Sequence, residues 1–448
     1  MALQDYTREF GKNLNIAYPI MAGQIAHLLV AFADNVMVGK LGDAQLAAVS
    51  LGNTLIFIAL SIGIGFSFAI TPLVAEADAK GDFQKVKSIF HNGVLVSTIN
   101  GVILCVLLFL SEPILYYLDQ PEEVIILAIP YMRIVAISMI PLMIFQSFKQ
   151  FADGLSKTVF AMQATIIANI VNIILNYLLI YGKFGFPRLE VEGAAYGTLV
   201  ARILMVPVLM FLLSRKVELK RYFSTVEAFS VVIFKKLLNL GFPTALQMFF
   251  EVSLFTAAII LSGVLGTKSQ AANQIALNLS AMTFMVGVGL SVTATIRIGN
   301  QLGNGNILEL KRIARSIFLL TLILDVIFAV IFYAFKDQLP WIYIQDVEVV
   351  NIASSLLIVA AFFQVSDGLQ VVFLGALRGL QDVWIPSAIC FIAYWLVGFP
   401  VSYYLGIVLD YGGQGIWIGL LLGLSVSSML MYLRYRYLIR VRFVKSFS

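Results

Sequence analysis

Charge is what this sequence has least of. Only 12% of its residues are Asp, Glu, Lys or Arg, while 60% are hydrophobic and the mean hydropathy is +0.92; a soluble domain carries about 25% charged residues. A chain so poor in polar side chains cannot give itself a water-facing surface, which excludes a soluble globular protein. Cysteine is almost missing. Cys105 and Cys390 both lie inside apolar runs, which excludes a disulfide framework and leaves no metal-ligand spacing. The two histidines, His27 and His91, are far apart in sequence; His27, in an apolar helix, could carry a proton, but a helix-packing role is the plainer reading. The first twenty residues lack the basic n-region and small-residue cleavage site of a secretory signal, so the first apolar run is expected to act as its own insertion signal. Strict alternation of apolar and polar residues is also missing, which excludes a β-barrel. The net charge of +5 calls for no nucleic acid, because the basic residues collect in loops.

What is present is a repeat. Adding 224 to a residue number in the first half returns the same residue type many times over: Pro19 and Pro243, Gly39 and Gly263, Leu41-Gly42 and Leu265-Gly266, Ala47-Ala48 and Ala271-Ala272, Gly63 and Gly287, Gly65 and Gly289, Thr71 and Thr295, Gly81 and Gly305. The offset is half of the 448 residues. Secondary transporters are commonly built from such duplicated hydrophobic bundles, with the substrate held between repeats near the midplane.

Apolar stretches long enough to cross about 30 Å of hydrocarbon occupy about twelve spans: 15–39, 47–75, 91–111, 125–148, 159–182, 193–213, 237–263, 273–297, 316–336, 351–374, 384–405 and 415–436. Basic residues mark one side: Lys80, Lys85 and Lys87; Lys149 and Lys157; Arg215, Lys216, Lys220, Arg221, Lys235 and Lys236; Lys311, Arg312 and Arg315; Arg434, Arg436, Arg440, Arg442 and Lys445. The opposite loops are acidic, with Glu112, Asp119, Glu122 and Glu123 in one and Asp337, Asp346 and Glu348 in its counterpart. Both termini are therefore expected in the cytoplasm. Six spans per half is an even number, so the repeats enter from the same face and run parallel. The expected fold class is an all-α polytopic membrane protein, two parallel six-helix repeats (an N-lobe and a C-lobe) around a central cavity. The expected divisions are a lobe over 1–213, an inter-lobe linker over 214–236, a lobe over 237–436 and a basic tail over 437–448. The linker, without Gly or Pro, is expected to carry a short amphipathic helix at the membrane surface.

Charged residues inside spans are functional candidates, because burying one at mid-membrane costs about 3 kcal/mol or more. Asp34 lies 15 residues past Pro19, roughly 22 Å along a helix. Glu251 lies eight residues past Pro243, roughly 12 Å along the seventh span. Asp367 lies inside the tenth. No basic residue falls at similar depth in the first or seventh span. Asp325 also falls in a span, but no second polar residue on that helix supports a role. The fifth span carries Asn169, Asn172 and Asn176. The last two are four apart and share a helix face, where their amide oxygens can hold Na⁺ or their amide hydrogens a carboxylate; interhelical hydrogen bonding is the plainer reading. Arg378, in the run ALRG, reads as a structural element of a cytoplasmic loop.

Three segments carry a resemblance: DNVMVGKLG from Asp34 to Gly42, FFEVSLF from Phe249 to Phe255, and SDGLQVVFLGALRGLQD from Ser366 to Asp382. With twelve spans in two halves, the chain resembles the multidrug and toxic compound extrusion transporters, specifically the bacterial NorM-like branch, over nearly its whole length. The resemblance implies export of cationic amphipathic drugs from a bacterial inner membrane, driven by Na⁺ or H⁺ and needing no other cofactor. It places Glu251 and Asp367 in a C-lobe cation-coupling site, with Na⁺ as a candidate ion there, and Asp34 in an N-lobe polar site with Asn172, Asn176 and Thr198. The archaeal pattern has Asp where this chain has Asn176.

The residues suggest how such a site works. A coupling ion and a cationic drug compete for one buried carboxylate pair, aromatic side chains offer cation–π surface, and the lobes rock to alternate access. The expected partners are small organic cations, Na⁺ or H⁺ and the lipid bilayer, with the chain acting as a monomer. A flippase for lipid-linked precursors is the alternative, but it needs a basic cavity, whereas the deep charges here are mainly acidic. An intramembrane aspartyl enzyme would need a Gly-x-Gly-Asp signature, which is missing. A major-facilitator transporter would need a basic motif after the second span, where this chain reads EADAKGD.

Overall fold

The structure is a computed structural model that describes residues 3–117, 120–223, 225 and 227–445. Asp119, one of the acidic-loop residues, lies outside the described residues. Among the described residues twelve helices are long and apolar enough to cross a membrane: α1 (Thr7–Gly39), α2 (Asp43–Ala79), α3 (Phe83–Tyr117), α4 (Glu122–Gly154), α5 (Thr158–Tyr181), α6 (Glu190–Ser214), α7 (Val231–Val264), α8 (Thr267–Gly303), α9 (Ile307–Ala334), α10 (Val347–Gly379), α11 (Trp384–Val408) and α12 (Gly412–Val441). No strand occurs among the described residues. Each expected span falls on one of these helices, most of which run beyond the apolar stretch. The expected basic tail is a continuation of the last helix, which is unbroken to Lys445.

The duplication extends to backbone and hydrogen bonds. The turn after α2 uses Gly81 at φ 68° and the turn after α8 uses Gly305 at φ 69°, a left-handed conformation that glycine adopts without steric cost. The next residue caps the following helix in both: Asp82 accepts from the Lys85 N–H at 3.0 Å, and Asn306 accepts from the Glu309 N–H at 3.0 Å. Thr71 Oγ1 donates to the Gln150 carbonyl at 3.0 Å, and Thr295 Oγ1 to the Gly375 carbonyl at 2.8 Å.

The chain forms two compact units, and their borders differ from the expected lobes. One unit comprises 1–21 with 246–448, the other 22–245. Each repeat thus cedes the start of its first helix to the other unit, where the sequence reading placed the border between 213 and 237. The two breaks are 224 residues apart and follow Pro19 and Pro243, both inside helices. Proline removes one i→i−4 hydrogen bond, so these are the places where a helix follows two packing environments most cheaply.

Lipid supplies no hydrophobic drive between helices, so close approach and polar contacts must hold each unit together. In the unit containing the second repeat, α8 and α10 pack most extensively. A Cβ at Gly375 would collide with the Ser291 carbonyl and one at Gly379 would lie 2.9 Å from the Thr295 carbonyl. Ser291 Oγ donates across this seam to the Val371 carbonyl at 2.6 Å. The start of α1 is fastened to the same unit by Glu9, whose side chain is fully buried. Glu9 accepts from Arg297 at 2.6 Å, Arg312 at 2.9 Å and Lys12 at 2.9 Å. Asn13, also fully buried, accepts from Arg297 and donates to Ser316 Oγ at 3.1 Å.

In the other unit the inter-repeat linker carries the expected short helix, Val217–Lys220, and the segment packs onto the unit. Leu219 and Tyr222 are buried, Phe223 packs edge-on to Phe90 and Phe151, and Arg221 lies 4.4 Å over the Phe83 ring. Burial also raises the Tyr222 hydroxyl pKa. Lys87, itself buried, pairs with Glu227 at 3.0 Å.

Removing one member of a buried ion cluster costs about 3–5 kcal/mol. Glu9→Gln is therefore expected to lower the thermal midpoint of the purified protein in detergent. Substituting the exposed Glu218 should leave it unchanged, and equal midpoints for the two variants would refute the role given to Glu9.

Candidate functional site

Each unit holds a polar cluster built around an acidic residue of its apolar spans. In the unit of residues 22–245 the centre is Asp34 on α1. Asn176 Nδ2 on α5 donates to Asp34 Oδ1 at 2.7 Å. Asn172, one turn earlier, has its amide best placed when it donates to the same oxygen at 3.2 Å and accepts from the Thr198 N–H at 3.2 Å. Asp34, Asn172, Asn176 and Thr198 are thus brought together as expected, although Thr198 takes part through its backbone. Its hydroxyl turns back to the Ala194 carbonyl at 3.0 Å. Gly197 makes room for the arrangement, since a Cβ there would overlap Asn176 Oδ1.

Two members of this cluster were not singled out from sequence. Arg202 on α6 lies within electrostatic range of Asp34 and donates to Ser138 Oγ at 2.7 Å, where α4 changes direction. Tyr131 on α4, buried, is also within range of Asp34 and donates to Asn53 Oδ1 at 3.0 Å. Arg202 interrupts the apolar run of α6, and that interruption is the signal that could have found it. His27 is exposed, contrary to the packing role expected for it.

In the unit containing the second repeat, Glu251 on α7 is 8% exposed and Asp367 on α10 is 6% exposed. Each lies within electrostatic range of the other. Asp325 on α9 is also 6% exposed and within range of Asp367, so the lack of polar support along its own helix was misleading: its polar neighbour comes from α10. Arg378 lies within electrostatic range of Glu251. It is 5% exposed within α10, not in a loop as the sequence reading had it, because α10 runs several residues further than its apolar stretch. Arg378 Nη2 donates to Gln247 Oε1 at 3.2 Å, and Gln247 Nε2 to the Val383 carbonyl at 3.1 Å. Gln247 stands one turn before Glu251 on α7, so this bridge fixes where the arginine sits along the glutamate's helix.

The surroundings are polar but sparsely satisfied. Asp367 Oδ1, Asp325 Oδ2, both amide atoms of Gln364 and the Tyr394 hydroxyl are buried without a hydrogen-bond partner. Tyr394, fully buried, lies on the π-helical stretch Ile392–Gly398 of α11 and within electrostatic range of Glu251 and Asp367. Single π-turns are frequent at functional sites. Among the described residues no three His, Cys, Asp or Glu side chains converge closely enough to hold a metal ion. A Na⁺ at Glu251 and Asp367 would have to complete its oxygen shell from amide, hydroxyl or carbonyl groups, and the Gln364 amide is of the right kind.

The sequence profile of the MatE family matches residues 19–178 and 243–404, once in each repeat. A probable multidrug resistance protein NorM of Rhizobium meliloti is 34% identical, covering 96% of this chain and 94% of its own. The multidrug resistance protein NorM of Photobacterium profundum is 32% identical, covering 97% of each. Among solved structures, the eukaryotic MATE transporter AtDTX14 superposes with a TM-score of 0.88 at 20% identity, covering 98% of this chain and 99% of that one. The Vibrio cholerae MATE transporter VcmN in its bent form gives 0.88 at 18% identity, covering 98% and 99%.

Gly197→Ala is expected to push the Asn176 amide off Asp34 and lower the thermal midpoint, a buried hydrogen bond to a charged group being worth about 1.5–3 kcal/mol. Asn176→Ala removes the colliding atom. The double variant should therefore be no less stable than Asn176→Ala alone, and additive losses would refute the collision.

Proposed function

This chain belongs to the MatE family, and we propose that its exporter cycle exchanges a monovalent cation, H⁺ or Na⁺, for cationic amphipathic molecules at Glu251 and Asp367. It is a NorM-like multidrug efflux transporter, a multi-pass protein of a bacterial membrane, and the proposal concerns how the transport is coupled. One observation carries the reading: two carboxylates, more than nine-tenths buried, lie within electrostatic range of each other, and the arginine beside them compensates only Glu251. Buried surroundings with no further positive charge do not tolerate the leftover negative charge, so the site is stable only when a cation neutralises it. A coupling ion and a cationic drug both meet that demand, and they exclude one another.

The cycle follows from this competition. With the site open to the outside, the ion occupies Asp367 and displaces the drug outward. With the site open to the cytoplasm, where the coupling ion is held scarce, the ion leaves and the drug takes its place. Arg378 keeps Glu251 compensated by remaining beside it, which leaves Asp367 to take the exchanged cation. In the other unit Asp34 is already compensated by two amides and by Arg202, so that cluster serves shape and drug contact, not ion uptake. The basic loops support a cytoplasmic location for both termini, and the proposed working unit is the monomer.

The reading is tested in liposomes by following ethidium under an imposed Na⁺ gradient and, separately, an imposed pH gradient. Movement under either one is expected and identifies the coupling ion. Asp367→Asn should insert normally and lose gradient-driven movement at least tenfold; undiminished movement by that variant would overturn the site assignment.

A further inference from the structure

We propose that Asp325 is a third coupling carboxylate, taking up and releasing one proton per cycle beside Asp367. The inference rests on the exporter reading above and extends it to a residue on a different helix.

The geometry that carries it is a three-helix junction. The Asp325 carboxylate lies directly over the backbone of Gly368, the residue after Asp367: a Cβ at position 368 would come within 2.6 Å of Asp325 Cγ. Gly287 of α8 closes the junction, its own Cβ position lying 3.6 Å from the Gly368 Cα. Only glycine at 368 leaves space for a carboxylate there.

The first repeat shows what this junction contains when it carries no charge. Asp325 corresponds to Gly101 at the 224-residue offset, and Gly287 to Gly63. Gly368 corresponds to Met143 at an offset of 225, the same one that aligns Gly154 with Gly379. There the methionine fills the space from the other side. A Cβ at Gly101 would lie 3.2 Å from Met143 Cβ, and one at Gly63 would lie 2.7 Å from Met143 Sδ. The repeats have exchanged large and small: glycine with methionine in one, aspartate with glycine in the other. Packing alone is met by the thioether, so the carboxylate is a costly alternative that packing does not require.

Among the described residues no ion pair of Asp325 and no hydrogen bond at its Oδ2 offsets that cost. The titratable groups around the cluster are Glu251 from α7, Asp367 and Arg378 from α10, and Cys390 and Tyr394 from α11. Arg378 answers Glu251. Asp367 and Asp325 remain, and each needs one positive charge. A proton needs a single oxygen with a free lone pair, which Oδ2 provides, whereas a sodium ion needs several converging oxygens, and no three acidic side chains converge here.

The experiment measures stoichiometry. Full-length protein is reconstituted with the membrane potential clamped by K⁺ and valinomycin, and the steady ethidium gradient is read under a tenfold proton gradient. Exchange of two protons supports about a 100-fold ethidium gradient and exchange of one about a 10-fold gradient, each proton contributing the free energy of one tenfold ratio. Wild type is expected near the first value and Asp325→Asn near the second. A purely structural loss would slow the approach to the plateau without changing its exponent. Equal plateaus overturn the proposal. A wild type driven by Na⁺ alone also overturns it while leaving the exporter reading in place, and one driven by neither ion removes both. Should Asp325→Asn fail to insert, dicyclohexylcarbodiimide labelling of wild type gives a second reading. An adduct on Asp325 that forms when the reagent is applied in acid and does not form in alkali supports the proposal, and its absence at both refutes it.

Discussion

A carboxylate removed from water must find positive charge, and this requirement organises the polar interior of both units. Glu9 meets it with Arg297, Arg312 and Lys12. Asp34 meets it with two asparagine amides and the nearby Arg202. The cluster around Asp367 leaves it unmet, with three acids and one arginine. The first two arrangements are closed and hold structure. The third is open, and its deficit is what an exchanged cation supplies. Stability and transport thus rest on one electrostatic rule applied with different bookkeeping.

The duplication separates what the fold needs from what the chemistry needs. Turn glycines, helix caps and the threonine bonds of Thr71 and Thr295 persist in both repeats because they set backbone geometry. The ionisable positions diverge. Glu251 stands opposite His27, Arg378 opposite Asp153, and Asp325 opposite Gly101. Asp153 is itself buried, with Lys149 at 3.8 Å, so even there the sign of the charge has been reversed within a retained frame. A common scaffold therefore carries two clusters of different charge balance.

Much of this was legible in the sequence. Hydropathy and the repeat gave the twelve spans, since lipid imposes both length and apolarity on a crossing helix. Asp34, Asn172 and Asn176 could be grouped because the two amides share a helix face, and Glu251 and Asp367 stood out as acids in apolar runs. What escaped was set by packing between helices. Arg378 looked like a loop residue because hydropathy ends before α10 does. Asp325 looked isolated because its polar neighbour lies on another helix. The Thr198 hydroxyl looked available because sequence cannot show that it bonds to its own helix. The exchange of helix starts at 21 and 245 has no hydropathy signature at all, and only the two prolines hint at it.

That exchange has a consequence for biosynthesis. Glu9 reaches its partners Arg297 and Arg312 across 288 and 303 positions of chain. At a translation rate of about 5–20 residues per second, the first helix waits on the order of fifteen seconds or more in the bilayer before either arginine partner of Glu9 has been made. During that interval the nascent chain is vulnerable to quality-control proteases and to pairing with another copy. Assembly of the unit completed by residues 246–448 is correspondingly a late event, and the amino-terminal segment is the last piece of the first helix to be fixed although it is the first to be made.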